Sequence, residues 1–229
     1  MTFEVGLMLL ASKMPVSNML EQMSQGMIET IKIFALTVIF SIPLGLIVAF
    51  GRMAKFTVLR WLVNAYISIM RGTPLMLQVI AIYFGPYFLF GMSISEDYKF
   101  IAIILSFVLN YAAYFAEIYR SGIESMPAGQ YEAAELLGYN KVQTFVKIIL
   151  PQVIKRILPS ITNEVICLVK DTSLAFSVSY IEMFALTKQL ASSTTSFTPF
   201  IIAGIFYYIF NAVVAWIMSL CEKKLSYYQ

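Results

Sequence analysis

Residues 132–151 read EAAELLGYNKVQTFVKIILP, a polar segment inside a chain that is otherwise mostly apolar. Residues 132–137 are good helix formers, and Gly138 after them is a natural helix stop. The residues that follow place apolar side chains at the spacing of an amphipathic helix: Val142, Phe145, Val146 and Ile149. Pro151 is expected to break or redirect that second helix, because proline lacks an N–H donor. The segment therefore predicts two short helices along a membrane surface, too small for an enzyme domain and suited to binding another protein.

The composition of the chain is typical of a membrane protein. Of its 229 residues 59% are hydrophobic and 13% are charged, against about 25% charged residues in an ordinary soluble domain. The absence of histidine from the sequence removes the commonest general base and transition-metal ligand, and no basic stripe suggests nucleic acid. Cys167 and Cys221 lie in apolar segments, so we expect them to be buried as small hydrophobic side chains.

Several stretches reach the length of about 20 apolar residues that a membrane-spanning helix needs. We predict an all-α membrane protein that forms one domain over residues 1–229 and has five transmembrane helices. These spans are expected at about residues 27–50, 59–90, 100–121, 157–180 and 199–221. The second stretch is too long for one straight helix, and Pro74 predicts a break at residues 71–74 after an interfacial helix over residues 60–70. The fourth span is expected to be disturbed at residues 170–173, and residues 1–25 lack the pattern of a cleaved signal peptide.

Lysine and arginine positions predict the orientation of the chain, since cytoplasmic loops carry an excess of both residues. With five spans, three basic groups share one side: Arg52, Lys55 and Arg60; Arg120, Lys141, Lys147, Lys155 and Arg156; and Lys223 and Lys224. That side is predicted to be cytoplasmic. The N-terminus is then outside, the C-terminus is inside, and a coupling loop of about residues 124–156 faces the cytoplasm.

The order Glu-Ala-Ala, three residues, Gly, nine residues, Ile-x-Leu-Pro in residues 132–151 resembles the EAA loop of bacterial ATP-binding-cassette importers. The resemblance covers the whole signature of their transmembrane subunits. In that family the loop forms a coupling helix that docks in a groove of the ATPase subunit. The resemblance therefore implies an ATPase contact through Glu132, Ala133, Ala134 and Gly138, and a location in the bacterial cytoplasmic (inner or plasma) membrane.

A second set of motifs resembles the polar amino-acid permeases of the histidine, arginine, glutamine and cystine group. The motifs are RGTPL at residues 71–75 followed by Gln78, NYAAY with its continuation at residues 110–120, and residues 158–174 ending in VKDTSL. The resemblance extends from about residue 27 to the C-terminus. It implies the type I importer permease fold, with five helices per subunit and two subunits around a central pathway.

Ionisable groups inside a membrane are candidates for function, because each costs about 2.5–3.5 kcal/mol at a helix centre. Asn110 and Glu117 are seven residues apart and share one face of the third span, as Glu164 and Asp171 do in the fourth. Two facing acidic stripes can receive a cationic group. The resemblance to arginine-type permeases implies this role for Glu164 and Asp171. The hydroxyls of Thr172 and Ser173 lie at the expected helix break, where transporters commonly bind substrate.

Each of these polar residues also has a structural interpretation. Glu117 can pair with Arg120 one helical turn later, and Lys170 can neutralise Asp171 or extend to the interface. Asn110 can form a hydrogen bond between helices. The sequence leaves these alternatives open.

The function predicted from these features is that of the permease subunit of an ATP-driven importer of a polar, cationic amino acid. The chain contains no Gly-x-x-x-x-Gly-Lys-Ser/Thr motif, so it has no P-loop to bind ATP. ATP and Mg²⁺ are therefore expected on a partner ATPase. This subunit is expected to have no cofactor and not to be an enzyme. Further expected partners are a second permease subunit, identical or related, an extracytoplasmic binding protein and membrane lipid. Cystine and glutamine are alternative substrates. An ion-driven secondary transporter and a membrane enzyme that uses the intramembrane acids are alternative classes.

Overall fold

The computed structural model describes residues 15–225, which fold into α-helices and two short segments of other helical type, with no strand in that range. The expectation about a signal peptide concerns residues 1–25, of which 1–14 lie outside the described range. The helices are α1 Val16–Arg52, α2 Thr57–Gly72, α3 Leu75–Phe90, α4 Glu96–Glu124, α5 Ala128–Leu136, α6 Lys141–Thr144, α7 Leu150–Asp171, α8 Met183–Thr194 and α9 Thr198–Leu225. A π-helical turn at Phe145–Ile149 joins α6 to α7, and a 3₁₀ helix at Thr172–Val178 continues α7.

Three helices in the described range are long and apolar enough to cross a membrane: α1 with 37 residues, α4 with 29 and α9 with 28. The α2–α3 pair bends by 110° and can be counted as a fourth, broken span. Its break lies at Thr73 and Pro74, where the sequence predicted one. The fold is therefore an all-α membrane fold, whereas the count of five spans and their boundaries stay a prediction.

Helix α4 is the centre of the fold and packs mainly against α1, with further contacts to α3 and α7. Small residues allow α1 and α4 to approach closely, as is common between helices in membranes. A Cβ atom added at Gly45 of α1 would lie only 2.7 Å from the Cβ of Phe115 on α4. Ala112 and Ala116, on the same side of α4, are fully buried.

Residues 124–156, which we call the coupling segment after their predicted role, have a well-defined backbone that their sequence explains. Helix α5 ends in a Schellman motif, in which the N–H of Gly138 donates to Glu135 and the N–H of Tyr139 donates to Ala134. Gly138 has a φ of +81°, a conformation that favours glycine. Helix α6 then begins with a capping box between Asn140 and Gln143.

Two expectations from the sequence are wrong. The break expected at Pro151 is absent: the backbone remains helical there, because the π-helical turn before it widens the helix where the proline ring would crowd the preceding turn. Leu150 accordingly donates its N–H to Phe145, five residues earlier. Cys167 and Cys221 are exposed on the surface of the chain rather than buried. An apolar helix surface that faces lipid satisfies such side chains as well as a protein core does.

Candidate functional site

Asn110 lies at the break between α2 and α3. Its side-chain amide donates to the carbonyl of Met70 at 2.9 Å and to the side-chain oxygen of Gln78 at 3.0 Å. Gln78 in turn donates to Met70, to the carbonyl of Thr73 and to the hydroxyl of Thr73. The two amides therefore satisfy backbone carbonyls that the break leaves without helical partners. This geometry corresponds to the structural alternative for Asn110, a hydrogen bond between helices.

Glu117 is surrounded by three arginines that come from three helices. Arg120 of α4 donates to it at 2.8 Å, Arg52 at the end of α1 lies 3.6 Å away, and Arg71 at the end of α2 lies 3.9 Å away. Its side chain is only 18% exposed. The pairing with Arg120 that the sequence offered as an alternative is therefore present. The negative charge of Glu117 is compensated within the chain, and Arg52 and Arg71 also belong to the cluster.

Glu164 of α7 and Glu117 of α4 line one cavity of about 230 Å³. The remaining lining residues are Arg71, Tyr114, Ile118 and Ser121. The guanidinium of Arg71 lies over the ring of Tyr114, at 5.2 Å from its centroid. The cavity thus contains carboxylates from two helices and one arginine from a third. A site with both signs of charge suits a ligand that also carries both signs.

Asp171 lies at the end of α7 and accepts a hydrogen bond of 2.7 Å from the hydroxyl of Tyr111 on α4. Tyr111 is also within electrostatic range of Glu164, as is Asp171 itself. The two carboxylates that the seven-residue spacing placed on one face of the helix are therefore electrostatic neighbours. Lys170, the residue before Asp171, forms no ion pair with it in the described part of the chain.

The hydroxyls of Thr172 and Ser173 serve the backbone of the helix end. Thr172 is buried and donates to the carbonyl of Val169 at 2.7 Å, and Ser173 donates to the carbonyl of Lys170 at 2.8 Å. Both hydroxyls stabilise the change from α-helix to 3₁₀ helix at this point. Each oxygen retains lone pairs that can accept a further hydrogen bond.

The structure brings Glu117, Glu164 and Asp171 towards one region between α4 and α7, whereas the side-chain amide of Asn110 bonds to the α2–α3 break. Sequence reasoning assigned no role to two residues at the centre of this region, Arg71 and Tyr111. They lie in the RGTPL and NYAAY motifs respectively. The position of Arg71 beside the predicted helix break could have identified it as a candidate site residue. No local pattern pairs Tyr111 with a carboxylate 60 residues away.

The coupling segment presents an apolar surface. Leu136 and Leu137 are 89% and 75% exposed, and Val142 is 71% exposed. Glu132, Ala133 and Gly138 are also exposed, whereas Ala134 is 1% exposed and packs within the chain. The small size of Ala134 therefore serves the packing of α5 against its own chain. Reciprocal hydrogen bonds between the side chains of Gln130 and Gln152 connect α5 to α7.

The known proteins that resemble this chain are permease proteins of transport systems. Residues 41–227 match the family described as "Binding-protein-dependent transport system inner membrane component". The chain is 37% identical to the "Putative glutamine transport system permease protein GlnP" of Rickettsia bellii over 88% of this chain and 91% of the relative. It is 34% identical to the arginine transport system permease protein ArtQ of Bacillus subtilis, with the same two coverages. It is 33% identical to the L-cystine transport system permease protein TcyB of that organism, over 90% of this chain and 87% of the relative.

A solved structure, that of an amino acid ABC transporter with histidines, superposes with a TM-score of 0.83 at 31% identity, over 91% of this chain and 96% of the other. The relatives named for glutamine, arginine and cystine have nearly equal identities to this chain, so overall similarity does not select a substrate. The fold and the family are common to all of them. The chain belongs to the family of binding-protein-dependent transport system inner-membrane components, the permease subunits of ATP-binding-cassette importers, which are not themselves enzymes.

Proposed function

We propose that this permease moves a cationic amino acid into the cytoplasm. The observation that supports the proposal is which carboxylates between α4 and α7 have ion-pair partners. Glu164 and Asp171 form no ion pair with a lysine or arginine among residues 15–225, whereas Glu117 has three arginines around it. Two carboxylates without an ion pair in a low-dielectric setting stabilise a positive charge far more than water does.

The opposite end of an amino acid has a counterpart in the same cavity. Arg71 lines it together with Glu164, and its stacking on Tyr114 holds the guanidinium at the wall. A guanidinium can bind a carboxylate through two parallel hydrogen bonds. We therefore assign Arg71 to the α-carboxylate of the substrate, and Glu164 with Asp171 to its cationic groups. Tyr111 orients Asp171 by donating to one of its two oxygens, and the other accepts no hydrogen bond from a side chain among residues 15–225.

Energy for transport comes, in this proposal, from an ATPase pair that binds the coupling segment. Glu132, Ala133 and Gly138, with the exposed Leu136 and Leu137, form the contact surface. Movement of this surface tilts α4 and α7, because α5 lies between them along the chain and the Gln130–Gln152 bonds connect it to α7. The pathway lies between two permease subunits, an extracytoplasmic binding protein delivers the substrate, and the site opens alternately to each side.

The test is transport by the complete importer, reconstituted in vesicles with its ATPase and binding protein. Arginine and lysine are expected to be imported and to stimulate ATP hydrolysis. Glu164→Gln is expected to lower their uptake about tenfold or more, since a hydrogen bond to a charged group contributes about 1.5–3 kcal/mol. Glu21→Gln, at an exposed carboxylate near the start of α1, is the matched control and is expected to leave uptake unchanged.

Glutamine and cystine belong in the same competition experiment, because relatives of similar identity carry those names. Import of either one, with no import of arginine or lysine, would refute the cationic substrate and leave the importer class intact. Uptake that continues with a hydrolysis-dead ATPase would instead favour an ion-driven transporter.

A further inference from the structure

A second and larger cavity, of about 520 Å³, lies between the helix ends on the side of the molecule where the coupling segment begins. It is lined by Arg52 and Met53 at the end of α1, Arg60 in α2, and Arg120 and Glu124 in α4. Three of its five lining residues are therefore arginines. The cavity that contains Glu164 shares none of these lining residues.

Part of the positive charge in this cavity has no hydrogen-bond or ion-pair partner among residues 15–225. Arg120 is held by Glu117 and Glu124. The Nε of Arg52 is buried without a hydrogen-bond partner, and its nearest carboxylate oxygen, on Glu117, is 3.6 Å away. The side chain of Arg60 forms no hydrogen bond or ion pair in the described part of the chain. The guanidinium of Arg60 is therefore available to bind an anion. Arg52, whose one ion pair among residues 15–225 is the long one through Nε to Glu117, can add its terminal nitrogens.

Helix α4 is long enough to place the cavity at the depth of lipid headgroups. Arg120 is 24 residues after Glu96, the first residue of α4, which corresponds to about 36 Å along the helix at 1.5 Å per residue. The hydrocarbon core of a bilayer is about 30 Å thick. If Glu96 lies at one interface, the guanidinium of Arg120 therefore extends just beyond the hydrocarbon on the other side.

Apolar side chains that neighbour Arg60 along α2 are exposed. Phe56, before the first turn of α2, is 67% exposed and Trp61, the residue after Arg60, is 66% exposed. Three more apolar side chains of the same turns are exposed: Val58, Leu59 and Leu62. Aromatic residues of this kind are enriched at membrane interfaces. A ligand that fills the cavity beside this surface needs an anionic head and apolar chains.

We propose that the cavity lined by Arg52, Arg60 and Arg120 binds the phosphate headgroup of an acidic phospholipid, whose acyl chains lie along the exposed face of α2. Phosphate oxygens accept hydrogen bonds from Arg60 and from the terminal nitrogens of Arg52. The lipid compensates the positive charge that Glu117 and Glu124 leave in the cavity. The lipid site has its own lining residues, although Glu117 connects it to the proposed substrate cavity, and its test does not depend on transport.

Trp61 provides a built-in reporter for the test. The full-length chain carrying Trp216→Phe is reconstituted in phosphatidylcholine vesicles, where brominated phosphatidylglycerol or brominated phosphatidylcholine quenches the fluorescence of Trp61. We expect brominated phosphatidylglycerol to quench Trp61 at a lower mole fraction than brominated phosphatidylcholine does. The ratio of the two mole fractions should be about five for each arginine that binds the headgroup. Arg60→Gln is expected to reduce that preference about fivefold. Lys155→Gln, a cation at the same end of the molecule but outside the cavity, is expected to leave the preference unchanged.

Two further measurements separate a lipid bound in this cavity from general lipid contact and from binding of a free anion. With Trp61→Phe, the remaining Trp216 of α9 reports on general lipid contact and is expected to show no preference. Inorganic phosphate, compared with chloride at equal ionic strength, is expected to leave the quenching of Trp61 unchanged. Equal quenching by both lipids at Trp61, an equal effect of Lys155→Gln, or displacement by inorganic phosphate alone would each overturn the proposal.

Discussion

Gly138 carries the backbone conformation on which the coupling segment depends. At a φ of +81° an alanine would place its Cβ against the following carbonyl, at a cost of about 1–2 kcal/mol. Gly138→Ala is therefore expected to weaken the Schellman motif that ends α5. Hydrogen exchange followed by mass spectrometry should show the amides of residues 138 and 139 exchanging about five- to thirtyfold faster, and stimulation of the partner ATPase should fall.

Gly129 provides the matched control for this substitution. It lies inside α5 in open space and without a positive φ, so alanine fits there and favours the helix. Gly129→Ala is expected to leave the exchange of residues 138 and 139 unchanged. If both alanine variants behave alike, the positive φ of Gly138 does not determine the turn.

The sequence could predict the helix face of some residues, but not their hydrogen-bond partners. The spacing of Glu164 and Asp171 was enough to place them on one face of a helix, because helical periodicity is a local property. The same reasoning placed Asn110 with Glu117, but it could not show that the amide of Asn110 is used at the α2–α3 break. Hydrogen-bond partners 30 or more residues away depend on how helices rotate against each other.

Among the helices and their connections, the α2–α3 break is stabilised by side chains rather than by its own turn. Gln78→Met keeps the approximate size of the side chain and removes its donors to Met70 and Thr73. A buried carbonyl left unpaired costs about 1–3 kcal/mol. We expect thermal unfolding in detergent to occur about 2–12 °C lower, given roughly 2–4 °C for each kcal/mol in a chain of this length.

Leu77→Met is the control for the Gln78 variant, because Leu77 is the preceding residue of α3 and is 58% exposed. Its unfolding temperature is expected to match that of the unmodified chain. An unchanged unfolding temperature in Gln78→Met would mean that the broken helix does not need the amide network.

The sequence predicted the first half of the coupling segment well. The helix stop at Gly138 follows from local rules and is present. The separate amphipathic helix expected after it is instead the four-residue α6 and a π-helical turn, which run directly into α7. The continuation of the helix through Pro151 does not follow from such rules, because a π-helical turn depends on how the neighbouring residues pack. Ile149, in that turn, is fully buried in the core.

Across the molecule as a whole, the distribution of basic residues predicts which end faces the cytoplasm. In a chain with Cys167→Ser and Cys221→Ser, a membrane-impermeant maleimide is expected to label Ser93→Cys in intact cells. It is expected to label Leu136→Cys only after permeabilisation, in cells that lack the partner ATPase. Both positions are exposed, in the α3–α4 connection and at the end of α5 respectively. Labelling of Leu136→Cys in intact cells would reverse the orientation.

The class of this protein could be established from its amino-acid sequence, because apolar length, the Glu-Ala-Ala signature and the Pro74 break are properties of neighbouring residues. Which charged side chains lack an ion-pair partner could be learned only from the way the helices pack. Arg52, Arg71 and Arg120 come from three helices to compensate Glu117, and leave Glu164 and Asp171 without an ion pair among residues 15–225. Electrostatic energy depends on distances across the packed helices, and those distances are set only when α1, α2, α4 and α7 assemble.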